Sequence, residues 1–262
     1  MRRAAVVSLL VLSSLPAVAA APHVEAGGLT LSVIATARRI ELDSDAEPKP
    51  RVVVTVRLSA AQPGVVERVL DVARGVSLAP TEGLDLLLVR VSPRSTDAEA
   101  AEYDLVFDGA PVAGATVRLR GAVVTYAKRR DFQVEISDLA QPVGATGTVG
   151  EVSLRVTWLS PSRVGEERRW YFSGRVERSA PEDAGVVQWS GDRLDLLDSE
   201  GTRWPALGLR VTHGSEGDKD VVNLDGFFPI PEKARPGVLR YQCTRYEGVT
   251  ASPYEFTALP LP

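Results

Sequence analysis

Side chains that alternate in polarity with a period of two, broken at short intervals by Gly, Pro and Asp, restrict this chain to antiparallel β-structure. Residues 193–204, R-L-D-L-L-D-S-E-G-T-R-W, show the pattern in miniature. Leu194 and Leu196 point to one side of an extended segment and Asp195 to the other. Asp198-Ser199-Glu200-Gly201 then reads as a turn, with Asp198 bonding the backbone two residues on and Gly201 taking a positive φ. Thr202 and Trp204 resume the strand, which predicts a β-hairpin.

The same reading extends along most of the chain. Leu29, Leu31 and Val33 form one inward row, and Val52, Val54, Val56 and Leu58 another. Residues 65–76 fit neither period cleanly and are read as a weak strand, while the apolar run 84–91 is expected to be a strand covered on both faces. Residues 93–102 read as a polar loop with one helical turn. Strands follow at 103–107, 116–126 and 132–136, with Lys128, Arg129, Arg130 and Asp131 at the tip of the last hairpin; a solvated tip is preferred there to an anion site. Residues 139–150, poor in charge and bulk, are taken as a linker. Beyond it, Val152, Leu154, Val156 and Trp158 are expected to face one way, Trp170, Phe172, Gly174 and Val176 form the next inward row, and further strands are read at 186–189, 207–211, 221–224, 238–245 and 254–259. No long amphipathic helix is legible. The expected fold is all-β, two tandem immunoglobulin-like β-sandwich domains at 20–138 and 151–262 joined by the 139–150 linker.

The halves superpose at a shift near 120 residues, which reads as an internal duplication. Leu105 and Pro111 followed by Val117-Arg118-Leu119 match Leu224 and Pro231 followed by Val238-Leu239-Arg240, and each copy closes on a strand with an aromatic, Phe132 or Phe256. In the second half, Leu194-x-Leu196-x-Asp198-x-x-Gly201, the aromatic Trp204, and Phe227 to Pro231 leading into Val238 resemble the telokin-like, immunoglobulin-like domains of secreted bacterial proteins. The first half has Leu84-x-Leu86-x-Leu88 without the Asp-x-x-Gly turn. The resemblance implies a fold and no active site.

The first residues read as a signal peptide, 1–19. Met1-Arg2-Arg3 is the charged start, Ala4 to Leu15 the apolar run, and Pro16-Ala17-Val18-Ala19 the small-residue cleavage site. The run is too short to span a bilayer, so the expectation is a periplasmic or extracellular protein that does not span the membrane. The chain has 30 basic and 34 acidic residues; removing Arg2 and Arg3 with the leader leaves 28 against 34, a net −6. Nucleic acid is therefore not an expected partner.

Catalytic chemistry is thinly supplied. The histidines are His23 and His213, and the single cysteine, Cys243, falls inside a strand, where it reads as a small buried hydrophobe. That supply excludes a standard zinc site, and no cofactor is expected. Asp43-Ser44-Asp45 and Glu216-Gly217-Asp218-Lys219-Asp220 place carboxylates at alternate positions, as a calcium loop would, but read better as solvated loops. Two functional classes follow. One is a non-enzymatic binding or structural module for another protein or a cell-envelope component; the alternative is a glycan-acting hydrolase using two loop carboxylates.

Aromatic residues are the most uneven feature: of 16, 12 lie at or beyond Trp158, including all four tryptophans. Phe227 and Phe228 are neighbours in an extended segment and so point to opposite faces. One is expected to leave the core of its own domain, either to cover the junction with the first domain or to meet a partner. With Pro229 and Pro231 stiffening the segment, Phe227, Phe228, Pro229 and Pro231 form the candidate binding residues.

Overall fold

The computed structural model of the protein describes residues 9–11, 21–41, 48–60, 64–80, 84–96, 99–109, 111, 114–164, 167–230 and 234–262. Most of the expected signal peptide, Asp43-Ser44-Asp45 and Pro231 lie outside them. The described chain is all-β, and every pairing between its strands is antiparallel. In order it forms β1 (Leu9–Val11), β2 (His23–Ala26), β3 (Leu29–Glu41), β4 (Lys49–Ala60), β5 (Val69–Pro80), β6 (Leu87–Thr96), β7 (Ala100–Asp108) and β8 (Thr116–Thr125). Then come β9 (Lys128–Ile136), β10 (Thr146–Val149), β11 (Val152–Val164), β12 (Glu167–Arg178), β13 (Val187–Asp198), β14 (Arg203–Pro205), β15 (Leu207–Glu216), β16 (Lys219–Phe228), β17 (Pro236–Glu247) and β18 (Thr250–Pro260). The region 65–76, read as a weak strand, is a short 3₁₀ turn at Val66–Arg68 running into β5.

Two compact units result, and they do not divide at 139–150. Unit 1 is Met1–Tyr126 together with Thr250–Pro262, and unit 2 is Ala127–Val249. The segment read as a linker belongs to unit 2: β10 pairs with β11, and Leu139 and Ala145 pack on the unit 2 core. The boundary falls elsewhere because long-range pairing decides it. Strand β9 pairs with β17, and β18 pairs with β8.

In unit 1 one sheet runs β1-β3-β4-β7-β6 with β2 also on β3, and the other runs β18-β8-β5. Their inward rows share one core, Leu29, Leu31, Val54, Leu58, Leu105 and Phe107 from the first sheet meeting Leu78, Leu119, Val123 and Phe256 from the second. Ala26 and Leu29 pair directly across Gly27-Gly28, whose φ values of 62° and 77° are what a two-residue hairpin demands. The run 84–91 is not covered on both faces. Among the described residues, β6 is an edge strand paired only with β7, and Leu84 and Leu87 are 89% and 74% exposed. Nor is 93–102 a loop with a helical turn, since β6 continues to Thr96 and β7 starts at Ala100.

In unit 2 the sheets run β10-β11-β12-β16-β15 and β14-β13-β17-β9. Val152, Leu154, Val156, Phe172, Val222, Leu224 and Phe228 face Val134, Leu194, Leu196, Leu239, Tyr241 and Cys243 across one core. Lys128 to Asp131 are not a hairpin tip: they open β9 and lie opposite Glu247 to Thr244. The hairpin read at 193–204 forms as expected. The Glu200 and Thr202 amides donate to the Asp198 carboxylate at 3.0 and 2.8 Å, the Trp204 indole donates at 3.1 Å, and Gly201 takes φ 81°. These bonds hold the Asp198 carboxyl below its usual range, the Trp204 contact first among them.

Candidate functional site

The outer face of the five-stranded sheet in unit 2 gathers three aromatic rings, one of which, Trp158, its sequence period would send inward. Trp158 reads as the last residue of the Val152 row, yet it is 56% exposed. The cause is a β-bulge between Val156 and Trp158, which adds one residue to β11 and inverts the facing of everything after it. Leu159 takes the buried position instead. Tyr171 on β12 lies opposite Phe227 on β16, with ring centroids 6.0 Å apart, and the Arg169 guanidinium sits 4.5 Å from the Phe227 ring centre. Trp158, Tyr171 and Phe227 line a shallow depression of about 500 Å³ with Ser173, Arg210 and Asp225 at its polar side. The Ser173 hydroxyl donates to Asp225 at 2.5 Å.

Of the candidate residues, Phe227 and Phe228 are thus separated by the sheet, and Pro231 lies outside the described residues. Phe227 is half-buried and lines the depression, whereas Phe228 is wholly buried and meets Phe172 edge-on at 6.2 Å. Pro229 is half-buried just beyond the strand. Trp158, Tyr171 and Arg169 were missed by sequence reasoning. Tyr171 was legible as the outward neighbour of Trp170 and Phe172, but no residue near Trp158 announces the bulge.

A second cluster, also unforeseen, fills one region of the unit 2 interior with charge. Arg178 is fully buried; its guanidinium donates to Asp220 at 2.8 Å, to Asp192 at 2.9 Å and to the Tyr241 hydroxyl at 3.2 Å. Tyr241 in turn donates to Asp192, and burial pushes its phenol well above the ordinary value. Arg245, equally buried, donates to Glu247 at 2.6 and 2.9 Å and to the Ser179 carbonyl at 3.2 Å. Trp189 is shared between them, with the two guanidiniums 4.9 and 5.6 Å from its ring. Parity would have found both arginines: Arg178 continues the inward row of Phe172, Gly174 and Val176, and Arg245 that of Tyr241 and Cys243.

Each guanidinium nitrogen of Arg178 and Arg245 and the Tyr241 hydroxyl has a partner inside the protein, the arrangement of a cluster that holds the fold. Cys243 lies in the same core as a free thiol whose pKa is raised by burial. His213 lies on β15, its Nδ1 3.5 Å from Arg178. The acidic run at 216–220 is a strand turn whose Glu216 meets Arg175 at 2.5 Å and whose Asp220 meets Arg178 at 2.5 Å, while its Lys219 reaches Glu177 at 2.9 Å. Among the described residues no group of His, Cys, Asp or Glu is arranged to hold a metal ion. No helix among them is long and apolar enough to cross a membrane. Comparison with protein-family models, curated proteins and solved structures found no match for this chain.

Proposed function

We propose that this is an exported, non-enzymatic binding module of two immunoglobulin-like sandwiches derived from one duplicated repeat, and that it contacts a protein or cell-envelope component through the aromatic face of unit 2. The fold reading is supported by strand order. In unit 1, β3-β4-β7-β6 and β5-β8-β18 follow the two-sheet order of a seven-strand immunoglobulin domain, and β11-β12-β16-β15 with β13-β17-β9 repeats it in unit 2. Duplication is supported by matching local detail: Val33 and Val156 each precede a bulge, and Ala26–Leu29 and Val149–Val152 each close a two-residue turn.

The observation that carries the binding reading is that exposed Trp158 and Tyr171 stand beside half-buried Phe227 on one sheet face. Aromatic groups of this size are ordinarily buried, and clustered rings beside a guanidinium and hydrogen-bonding groups are the usual composition of contact surfaces. The test is capture from the envelope fraction of the source cell by immobilised protein, comparing the natural chain with Trp158→Ser, Tyr171→Ser and Phe227→Ser. Loss of the same captured component in all three, at unchanged unfolding midpoint, is the expected result. Capture indifferent to all three substitutions would remove this face as the contact surface.

A further inference from the structure

The strand that follows β8 in the chain is β9, and the strand that follows β17 is β18, yet neither pairs with its predecessor. Strand β8 pairs with β18, and β17 pairs with β9. The two pairings are the same pairing. Moving each residue to its counterpart in the other half, by 122 positions, turns Thr125↔Thr250 into Glu247↔Lys128, and Gly121↔Tyr254 into Cys243↔Phe132. The match runs from Leu119↔Phe256, which becomes Tyr241↔Val134, to the ends of both ladders.

We propose that the two units have exchanged their last strands: β9 and β18 are copies of one strand, each completing the unit that the other half of the chain began. This rests on the duplication argued above and is independent of the aromatic face. The physical reason lies in the connectors. Were β9 to occupy the place of β18 in the same register, Thr125 would face Lys128, leaving Tyr126-Ala127 as a two-residue hairpin loop. Such loops require positive φ at one or both central residues, as Gly27-Gly28 supplies between β2 and β3. Tyr126 and Ala127 carry a Cβ that penalises it, and neither has positive φ. The chain therefore runs on from β8 into β9 instead of reversing, and a short connector that resists reversal favours exchange; Gly248, at φ 63°, leaves the second connector free to turn, so the first one decides. Since each half lacks only what the other supplies, β18 fills unit 1.

The closed arrangement is otherwise sound, which makes it reachable. Its register would put Arg118 opposite Glu135, an opposite-charge pair, and Gln133 opposite Arg120. The exchanged form has its own contacts: Tyr254 lies over Gly121 and donates its hydroxyl to the Val72 carbonyl at 2.9 Å, and Gln242 donates to Gln133 at 2.8 Å.

The test uses full-length protein in a Cys243→Ala background with two reporters. Gln133→Cys with Gln242→Cys bridges only in the exchanged form, and Arg120→Cys with Gln133→Cys only in the closed form. With natural connectors, intramolecular oxidation read by peptide mass spectrometry is expected in the first reporter alone. Replacing both connectors by Asn-Gly (Tyr126→Asn, Ala127→Gly, Gly248→Asn, Val249→Gly) should move the bridge to the second reporter. Should that protein fail to fold, six Gly/Ser residues inserted after Tyr126 and after Gly248 lift the two-residue limit on both connectors, and the second reporter should then bridge. A bridge in the second reporter with natural connectors, or in the first alone in the folded altered protein, overturns the proposal.

Discussion

Replacing Arg178 by Met should unfold unit 2 well before the natural protein. The guanidinium is wholly buried, so its loss leaves the Asp192 carboxylate, itself only 10% exposed, without its cationic partner; Asp220 is 32% exposed and is partly rescued by water. Breaking a buried pair by removing one partner costs about 3–5 kcal/mol, and the solvation of Asp220 points to the lower end, about 3 kcal/mol. At an m-value of about 1.5–2 kcal/mol per molar, this lowers the urea midpoint by about 1.5–2 M. Tryptophan fluorescence isolates the effect, because Trp158, Trp170, Trp189 and Trp204 all lie in unit 2. Arg178→Lys should lose less, keeping the charge but not the fork that reaches both carboxylates. Adding Asp192→Asn to Arg178→Met should recover part of the loss, since no stranded charge then remains beside Tyr241. A loss below about 1 kcal/mol for Arg178→Met would refute the view that this cluster holds the unit together.

Three further outcomes are expected. Asp198 has a depressed folded pKa, so its contribution is present above its unfolded pKa of about 3.9 and is lost as pH falls through the folded value; thermal melts by tryptophan fluorescence between pH 5 and 3 should therefore show a steeper loss for the natural protein than for Asp198→Asn. Gly121→Ala would place a methyl 2.7 Å from Val76 Cγ2 and 2.8 Å from the Tyr254 hydroxyl, so it should destabilise unit 1 by about 1–3 kcal/mol, seen as faster hydrogen exchange in β8 peptides with the tryptophan transition unmoved. Cys243, buried and with its thiol pKa raised by desolvation, should react with a thiol-specific disulfide reagent at pH 8 only as fast as unit 2 opens, and fully on adding denaturant; an immediate stoichiometric reaction in the native protein would contradict its burial.

Local chemistry made the hairpin at 193–204 legible, because Asp198, Gly201 and the alternating leucines act within a few residues of one another. The same short range explains why Phe227 and Phe228 were expected on opposite faces and why Cys243 read as buried. Alternation tells which side of a strand a residue occupies, but not which distant strand lies beside it. That choice was made by tertiary pairing: β9 joined β17 and β18 joined β8, so the boundary fell at 126–127 and 249–250 instead of 139–150. Trp158 was misassigned because one extra residue in β11 reversed its facing, and bulges are set by the partner strand as much as by the bulged one. Arg178 and Arg245 continue inward rows, but a charged side chain is affordable inside only where acceptors converge. Those acceptors come from β13, β16 and β17 and from the turn before β11, segments far apart along the chain, and only the folded structure brings them to one place.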